Sequence, residues 1–162
     1  MTADLQRRAA SLLEKCRKHG ATIATAESCT GGLVAALLTS IAGSSDVVDC
    51  GFVTYSNEAK QRMLGVKSHI IDQFGAVSRE CAIAMAEGAL ANSGASVAVS
   101  ITGIAGPGGG TPAKPVGLVH FACAAKNMPT RYQMVNFGDI GREHVRMASV
   151  AVAFALLETQ TL

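Results

Sequence analysis

The chain has 162 residues, 49% of them hydrophobic but only 4% aromatic, with no Trp and a formal net charge of +2. Such a length fits a single domain over residues 1–162 that buries about two-thirds of its unfolded surface, with a core of Ala, Val, Ile and Leu. Lys and Arg form no stripe and no aromatics interleave with them, which excludes nucleic acid as the expected partner, and no apolar run approaches the ~20 residues of a membrane span.

Residues 4–19 place Leu5, Ala9, Leu12, Leu13 and Cys16 near helical spacing, with Gly20 as the stop. This charged amphipathic start is not a signal peptide. Ala21–Ala26 reads as a short buried strand, and a helix follows from about 30 to 41, ending at Gly43. Val47–Thr54 is strand-like; Ser56 is placed to cap a helix that runs to Leu64 and stops at Gly65. A short helical piece covers 68–74, and Ser78 caps an Ala-rich helix over Arg79–Ala91. Ser96–Thr102 is a strongly apolar strand, and the Gly/Pro stretch 103–115 has no period and is a loop. Val116–Ala125 and Arg131–Phe137 are two strands joined by the turn Lys126-Asn127-Met128-Pro129, and Gly141–Glu158 closes the chain as a long helix. Helices alternating with strands predict a layered α/β domain whose late hairpin makes the sheet mixed. Five scattered cysteines without a C-x-x-C pair suit reduced thiols in a cytoplasm, and no His/Cys/Asp/Glu cluster has metal-ligand spacing.

Chemistry concentrates in three segments. Ala24-Thr25-Ala26-Glu27-Ser28-Cys29-Thr30-Gly31-Gly32 lies where a strand gives way to a helix, so the Ser28 hydroxyl sits among free backbone amides. That geometry serves a nucleophile with an oxyanion hole. The bland alternative is that Ser28 or Thr30 only caps the helix. Cys29 is a rival nucleophile, although a buried cysteine more often fills a core gap. In Thr54-Tyr55-Ser56-Asn57-Glu58-Ala59-Lys60, a cap at Ser56 makes Tyr55 and Lys60 the pair that touches in a hydrophobic staple. To act as a base Lys60 must be neutral near pH 7, a lowering of ~3 units that burial can supply. The alternative is an ordinary solvated lysine. The third segment, Ile101-Thr102-Gly103-Ile104-Ala105-Gly106-Pro107-Gly108-Gly109, begins a loop whose amides can cradle a phosphate or merely connect. Arg142 and Arg146 share a helix face, as a phosphate clamp or as a solvated pair beside Glu143. No histidine lies in the three segments, so a serine with a lysine base fits better than a Ser-His-Asp triad.

Taken together, Ala26 to Gly32, Thr54 to Lys60 and Gly103-Ile104-Ala105-Gly106-Pro107 resemble the CinA C-terminal domain family. Gly75-Ala76-Val77-Ser78, Lys114-Pro115-Val116-Gly117 and the run at 142–146 match as well, so the resemblance spans about residues 5–158. As a free-standing chain this is similar to the nicotinamide-nucleotide amidohydrolases (NMN deamidases, PncC-type). The resemblance implies a three-layer α/β/α domain around a mixed, mostly parallel five-stranded sheet with one antiparallel strand. It implies hydrolysis of the carboxamide of nicotinamide mononucleotide to nicotinate mononucleotide and ammonia, without a cofactor. The family's serine and lysine fall on Ser28 and Lys60, and its assisting tyrosine on Tyr55.

With these as the catalytic group, Glu27, Thr30, Gly31, Thr102, Gly103, Gly106, Arg142 and Arg146 form the expected substrate-binding set, with the oxyanion amides around Thr30 and Gly31. Two departures stand out. The separate domain similar to molybdopterin-binding proteins that precedes this one in longer family members is missing from the chain. Gly138-Asp139-Ile140-Gly141-Arg142 is one residue longer than the usual Gly-Asp-Arg pattern, which leaves the phosphate-facing arginine open between Arg142 and Arg146. The expected partner is thus a small molecule, with neither nucleic acid nor membrane; the number of subunits stays open, a homo-oligomer included. The rival reading is a non-catalytic nucleotide-binding or protein-interaction module in competence or DNA-damage regulation.

Overall fold

The computed structural model describes residues 2–161. Helix α1 (Ala3–His19) opens with the Thr2 hydroxyl accepting from the Leu5 amide, and Gly20 ends it in the left-handed conformation. Its buried stripe is Leu5, Ala9, Leu12, Leu13 and Cys16, the five positions marked by helical spacing. Strand β1 (Ile23–Glu27) is buried at every residue, as a central strand covered on both faces must be. Then come α2 (Leu33–Thr39), a 3-10 turn at Ser44–Asp46, β2 (Val48–Val53), α3 (Asn57–Leu64), α4 (Ser68–Phe74), α5 (Arg79–Ala91), β3 (Val97–Gly103), β4 (Leu118–Ala125), β5 (Arg131–Asn136) and α6 (Arg142–Gln160).

The sheet order is β2-β1-β3-β4-β5. Strand β1 runs parallel to β2 and β3, while β4 is antiparallel to both β3 and β5, so four strands share a direction and β4 alone opposes them. The result is the expected three-layer α/β/α domain. One face carries α1, α2 and α6 over large aliphatic residues such as Leu12, Leu37 and Leu157, with Phe121 and Phe154. The other carries α3, α4 and α5 over small ones, among them Ala24, Ala26, Ala82, Ala86, Ala98 and Ala122. Small residues let α5 lie close to the strands. Gly88 lets α5 come equally close to α3: a Cβ there would collide with the Leu64 carbonyl at that helix's end. Among the described residues no helix is long and apolar enough to cross a membrane.

The chief local difference from expectation is the start of α2, at Leu33 rather than near residue 30. Gly31 and Gly32 adopt left-handed φ of 60° and 97°, and neither Ser28 nor Thr30 caps the helix. Glu27 does so instead, its buried carboxylate accepting from the amides of Gly32, Val34 and Ala35 at 2.9–3.0 Å. Strand β4 starts at Leu118 rather than Val116 because Gly117 turns through a left-handed φ of 94°, its Cα packed against the Gly138 backbone. The β4–β5 hairpin forms as expected, with Asn127 left-handed in its turn.

Candidate active site

Three chain segments meet at the C-terminal ends of β1, β2 and β3, where parallel strands leave their ligand crevices. They enclose a pocket of about 280 Å³ whose wall includes Ser28, Tyr55, Lys60, Thr102, Gly106 and Arg142. Ser28 follows β1 directly, its own amide bonded to the Ile101 carbonyl at 2.9 Å. Gly31 returns its amide to the Ser28 carbonyl at 3.0 Å, which closes a tight turn around the hydroxyl. Among the described residues the amides of Cys29 and Thr30 are bonded to no backbone carbonyl. Gly31, one of the two amides expected to face an anion, is thus engaged by the turn itself, and of the two ungripped amides only that of Cys29 belongs to a residue on the pocket wall.

Lys60 lies in the first turn of α3, which Ser56 caps by accepting from the Ala59 amide at 3.0 Å. That geometry turns Lys60 inward, and the residue is only 1% exposed. Its Nζ donates to the Thr54 carbonyl at 2.7 Å and sits 3.0 Å from Ser28 Oγ. No carboxylate pairs with it among the described residues. A buried ammonium without a counter-charge is costly, so burial lowers the lysine pKa from its ordinary value and favours the neutral amine. In that form the nitrogen keeps one hydrogen on Thr54 and offers its lone pair to the serine proton.

Cys29 is set against the same standard. It is buried, and desolvation pushes its thiol up to about 11, so it remains protonated and inert. Among the described residues no group of three His, Cys, Asp or Glu side chains is placed to hold a metal ion.

Tyr55 lines the same pocket as Lys60, but its hydroxyl is engaged elsewhere. It is 60% exposed, and its hydroxyl accepts from Arg142 at 2.8 Å. The same guanidinium donates to the Gly106 carbonyl at 2.9 Å, so Arg142 straps the pocket mouth between Tyr55 and the Gly/Pro loop. Arg146, one turn on, faces elsewhere: it donates to the Thr30 carbonyl at 2.9 Å and is absent from the pocket wall. Of the two arginines Arg142 meets the pocket, and Arg146 braces the serine turn from behind. Glu27 does not face the pocket at all, since its carboxylate is used up on α2. Thr30 is buried, with its carbonyl on Arg146, and Gly31 lies against that guanidinium; neither lines the pocket. Thr102 does, with its hydroxyl donating to the Ala76 carbonyl at 2.8 Å. Gly103 and Gly106 complete that side, and among the described residues the amides of Ala105, Gly106, Gly108 and Gly109 find no acceptor.

The CinA C-terminal domain model matches residues 5–161. The chain belongs to the CinA C-terminal domain family. It is 48% identical over 137 residues to a CinA-like protein of Akkermansia muciniphila and 44% identical over 160 residues to one of Myxococcus xanthus. These alignments cover 85% and 98% of this chain but 33% and 38% of the relatives, so the chain spans about a third of their length. Among solved structures, the competence/damage inducible protein CihA from Agrobacterium tumefaciens superposes with a TM-score of 0.98 at 49% identity, covering 100% of this chain and 98% of that one. A CinA superfamily protein from Escherichia coli matches at a TM-score of 0.91 and 32% identity, covering 100% and 94%.

Within this CinA domain, Asn57, Ala76 and Val77 also line the pocket and were not singled out from sequence. Asn57 lies inside the marked Thr54–Lys60 segment, and Ala76 and Val77 inside the Gly75–Ser78 match. The signal was present, but nothing in spacing tied α4's end to the serine.

Proposed function

We propose that this CinA domain is a metal-independent amidohydrolase that converts nicotinamide mononucleotide to nicotinate mononucleotide and ammonia. The observation that carries this reading is Lys60: a buried amine with no carboxylate partner among the described residues, 3.0 Å from a serine hydroxyl. Pure binding requires no such pair.

In the mechanism Ser28 Oγ attacks the carboxamide carbon while its proton passes to neutral Lys60. The amide of Cys29, on the pocket wall beside Ser28, receives the developing oxyanion; losing such a donor costs ~3 kcal/mol in other enzymes. Lys60 then gives the proton to the departing amine as the C–N bond breaks, releasing ammonia and leaving an ester on Ser28. Water, deprotonated by Lys60, cleaves that ester to the carboxylate and restores Ser28. The phosphate is held by the free amides of the Gly/Pro loop and by Arg142, which surrenders its bonds to Gly106 and Tyr55 or shares them. Tyr55 thus acts through Arg142 rather than through Lys60.

The deciding experiment measures ammonia release from nicotinamide mononucleotide by the purified chain in the presence of a chelator. Steady turnover is expected. Nucleotide binding without turnover would replace the amidase with a binding module, and activity lost to the chelator and restored by a divalent ion would overturn the metal-independent route.

A further inference from the structure

A second cavity, of about 360 Å³, lies on the α5 side of the sheet and shares Val77 with the catalytic pocket. The two lie side by side: in the β3–β4 register Thr102, of the first, is paired with His120, of the second, so both side chains leave the same face of the sheet. His120 is 8% exposed. Its Nδ1 lies 2.7 Å from the Tyr132 hydroxyl, and Nε2 has no partner among the described residues. Arg79 covers the Tyr132 ring at 5.2 Å from its centroid. Lys114 closes another side, with Nζ donating to the Phe74 carbonyl at 2.6 Å. At the start of α5 the Ser78 hydroxyl takes the Cys81 amide and its carbonyl the Ala82 amide, which leaves those of Arg79 and Glu80 without acceptors. Phe74, Leu118 and Met134 supply apolar surface.

We propose that this cavity is a binding site for a small anion with an apolar body, a carboxylate or phosphate ester whose charged end meets Arg79, Lys114 and His120. Two cations outweigh one carboxylate, Glu80, and two unpaired amides at a helix start add positive potential. Burial keeps the Tyr132 phenol protonated and, with Lys114 nearby, keeps His120 neutral. Tyr132 then donates to Nδ1, so Nε2 carries the hydrogen and needs an acceptor from outside the protein. The apolar residues face the rest of the ligand. The site binds and does not react: the Ser78 hydroxyl already donates to the Gly75 carbonyl at 2.7 Å, and that of Tyr132 is engaged by His120. A ligand here presses on Val77 and on the segment leading to Ala76, the carbonyl that holds Thr102. It thereby occupies the position of an effector rather than of an amide substrate.

The test reads binding and no turnover, so it stands apart from the amidase proposal. Nitrogen-15-labelled full chain is titrated with benzoate, phenyl phosphate, inorganic phosphate and benzyl alcohol. At least one of the first two is expected to shift the Arg79 and Glu80 amides and His120 Nε2 while leaving Gly108 and Gly109 unmoved. Its affinity should fall at least tenfold in Arg79→Gln, an exposed position, and in His120→Phe. Inorganic phosphate and benzyl alcohol should each bind at least tenfold more weakly than the better compound. Four results would overturn the proposal: no shift at these groups up to millimolar ligand, unchanged affinity in Arg79→Gln, equal binding of benzyl alcohol, or shifts that begin at Gly108 and Gly109.

Discussion

Arg17 and Lys60 are both basic residues anchored by backbone carbonyls, and the fold treats them oppositely. Arg17 lies at the surface with Asp46 at 2.7 Å, Glu14 at 3.5 Å and the Gly43 carbonyl at 2.9 Å. Its charge is matched and partly solvated, an arrangement that contributes little. Lys60 has the same kind of carbonyl anchor, on Thr54, but is only 1% exposed and pairs with no carboxylate among the described residues. A positive charge that the fold wanted for stability would resemble Arg17. Under the proposed function, what stands at Lys60 is an amine kept ready to take a proton from the hydroxyl 3.0 Å away.

The sharpest way to break this contrast is Lys60→Arg, which restores a permanent charge at the buried site. Ammonia release should fall at least ~1,000-fold, since a guanidinium cannot deprotonate near neutral pH. In the wild type log kcat/KM should climb with unit slope as pH rises and level off at an apparent pKa below the ~10.4 of a free lysine, because the protonated amine is the inactive form. A variant within tenfold of wild type, or a flat profile, would remove Lys60 from the base role. Ser28→Ala should lose activity on a similar scale while nucleotide affinity, measured calorimetrically, stays within a few-fold.

Glu27→Ala is expected to be next. It strips acceptors from three amides at the start of α2, and a urea melt should show a loss of ~2–4 kcal/mol. An unchanged midpoint would mean that water satisfies those amides. Cys29→Ala should keep most of the activity, since a thiol pushed up to about 11 is no nucleophile; a loss like that of Ser28→Ala would make this a thiol amidase. Arg17→Ala should leave both rate and urea midpoint close to wild type, and a large loss there would show that surface pairs matter more in this fold than supposed.

Which parts were readable from the amino-acid order follows from how far each interaction reaches. The caps of α3 and α5 are hydroxyls three residues from the amides they accept, at Ser56 and Ser78, so spacing found them. The Glu27 cap comes from the preceding strand across two left-handed glycines, and no local pattern announces it. Tyr55 was placed against Lys60 by a rule for helix starts, whereas a guanidinium 87 positions along the chain claims its hydroxyl. The pairing of Ser28 with Lys60 was expected from motifs; its geometry comes from β1 and β2 lying side by side, where Glu27 pairs with Val53. The cavity around His120 had no sequence signature, because its residues come from α4, α5, the loop and both strands of the hairpin.

The close approach at Gly88 has a genetic consequence. Leu64, whose carbonyl occupies the space a side chain would need, sits one helical turn beyond Lys60. Any larger residue at position 88 pushes on the rod that carries the amine and draws it away from Ser28. A screen for inactive alleles should therefore recover Gly88 beside Ser28 and Lys60, although no ligand reaches it. Such an allele would imitate a lesion in the chemistry while being one of mechanical alignment, and a smaller residue at 64 would not rescue it, since the obstruction is main chain.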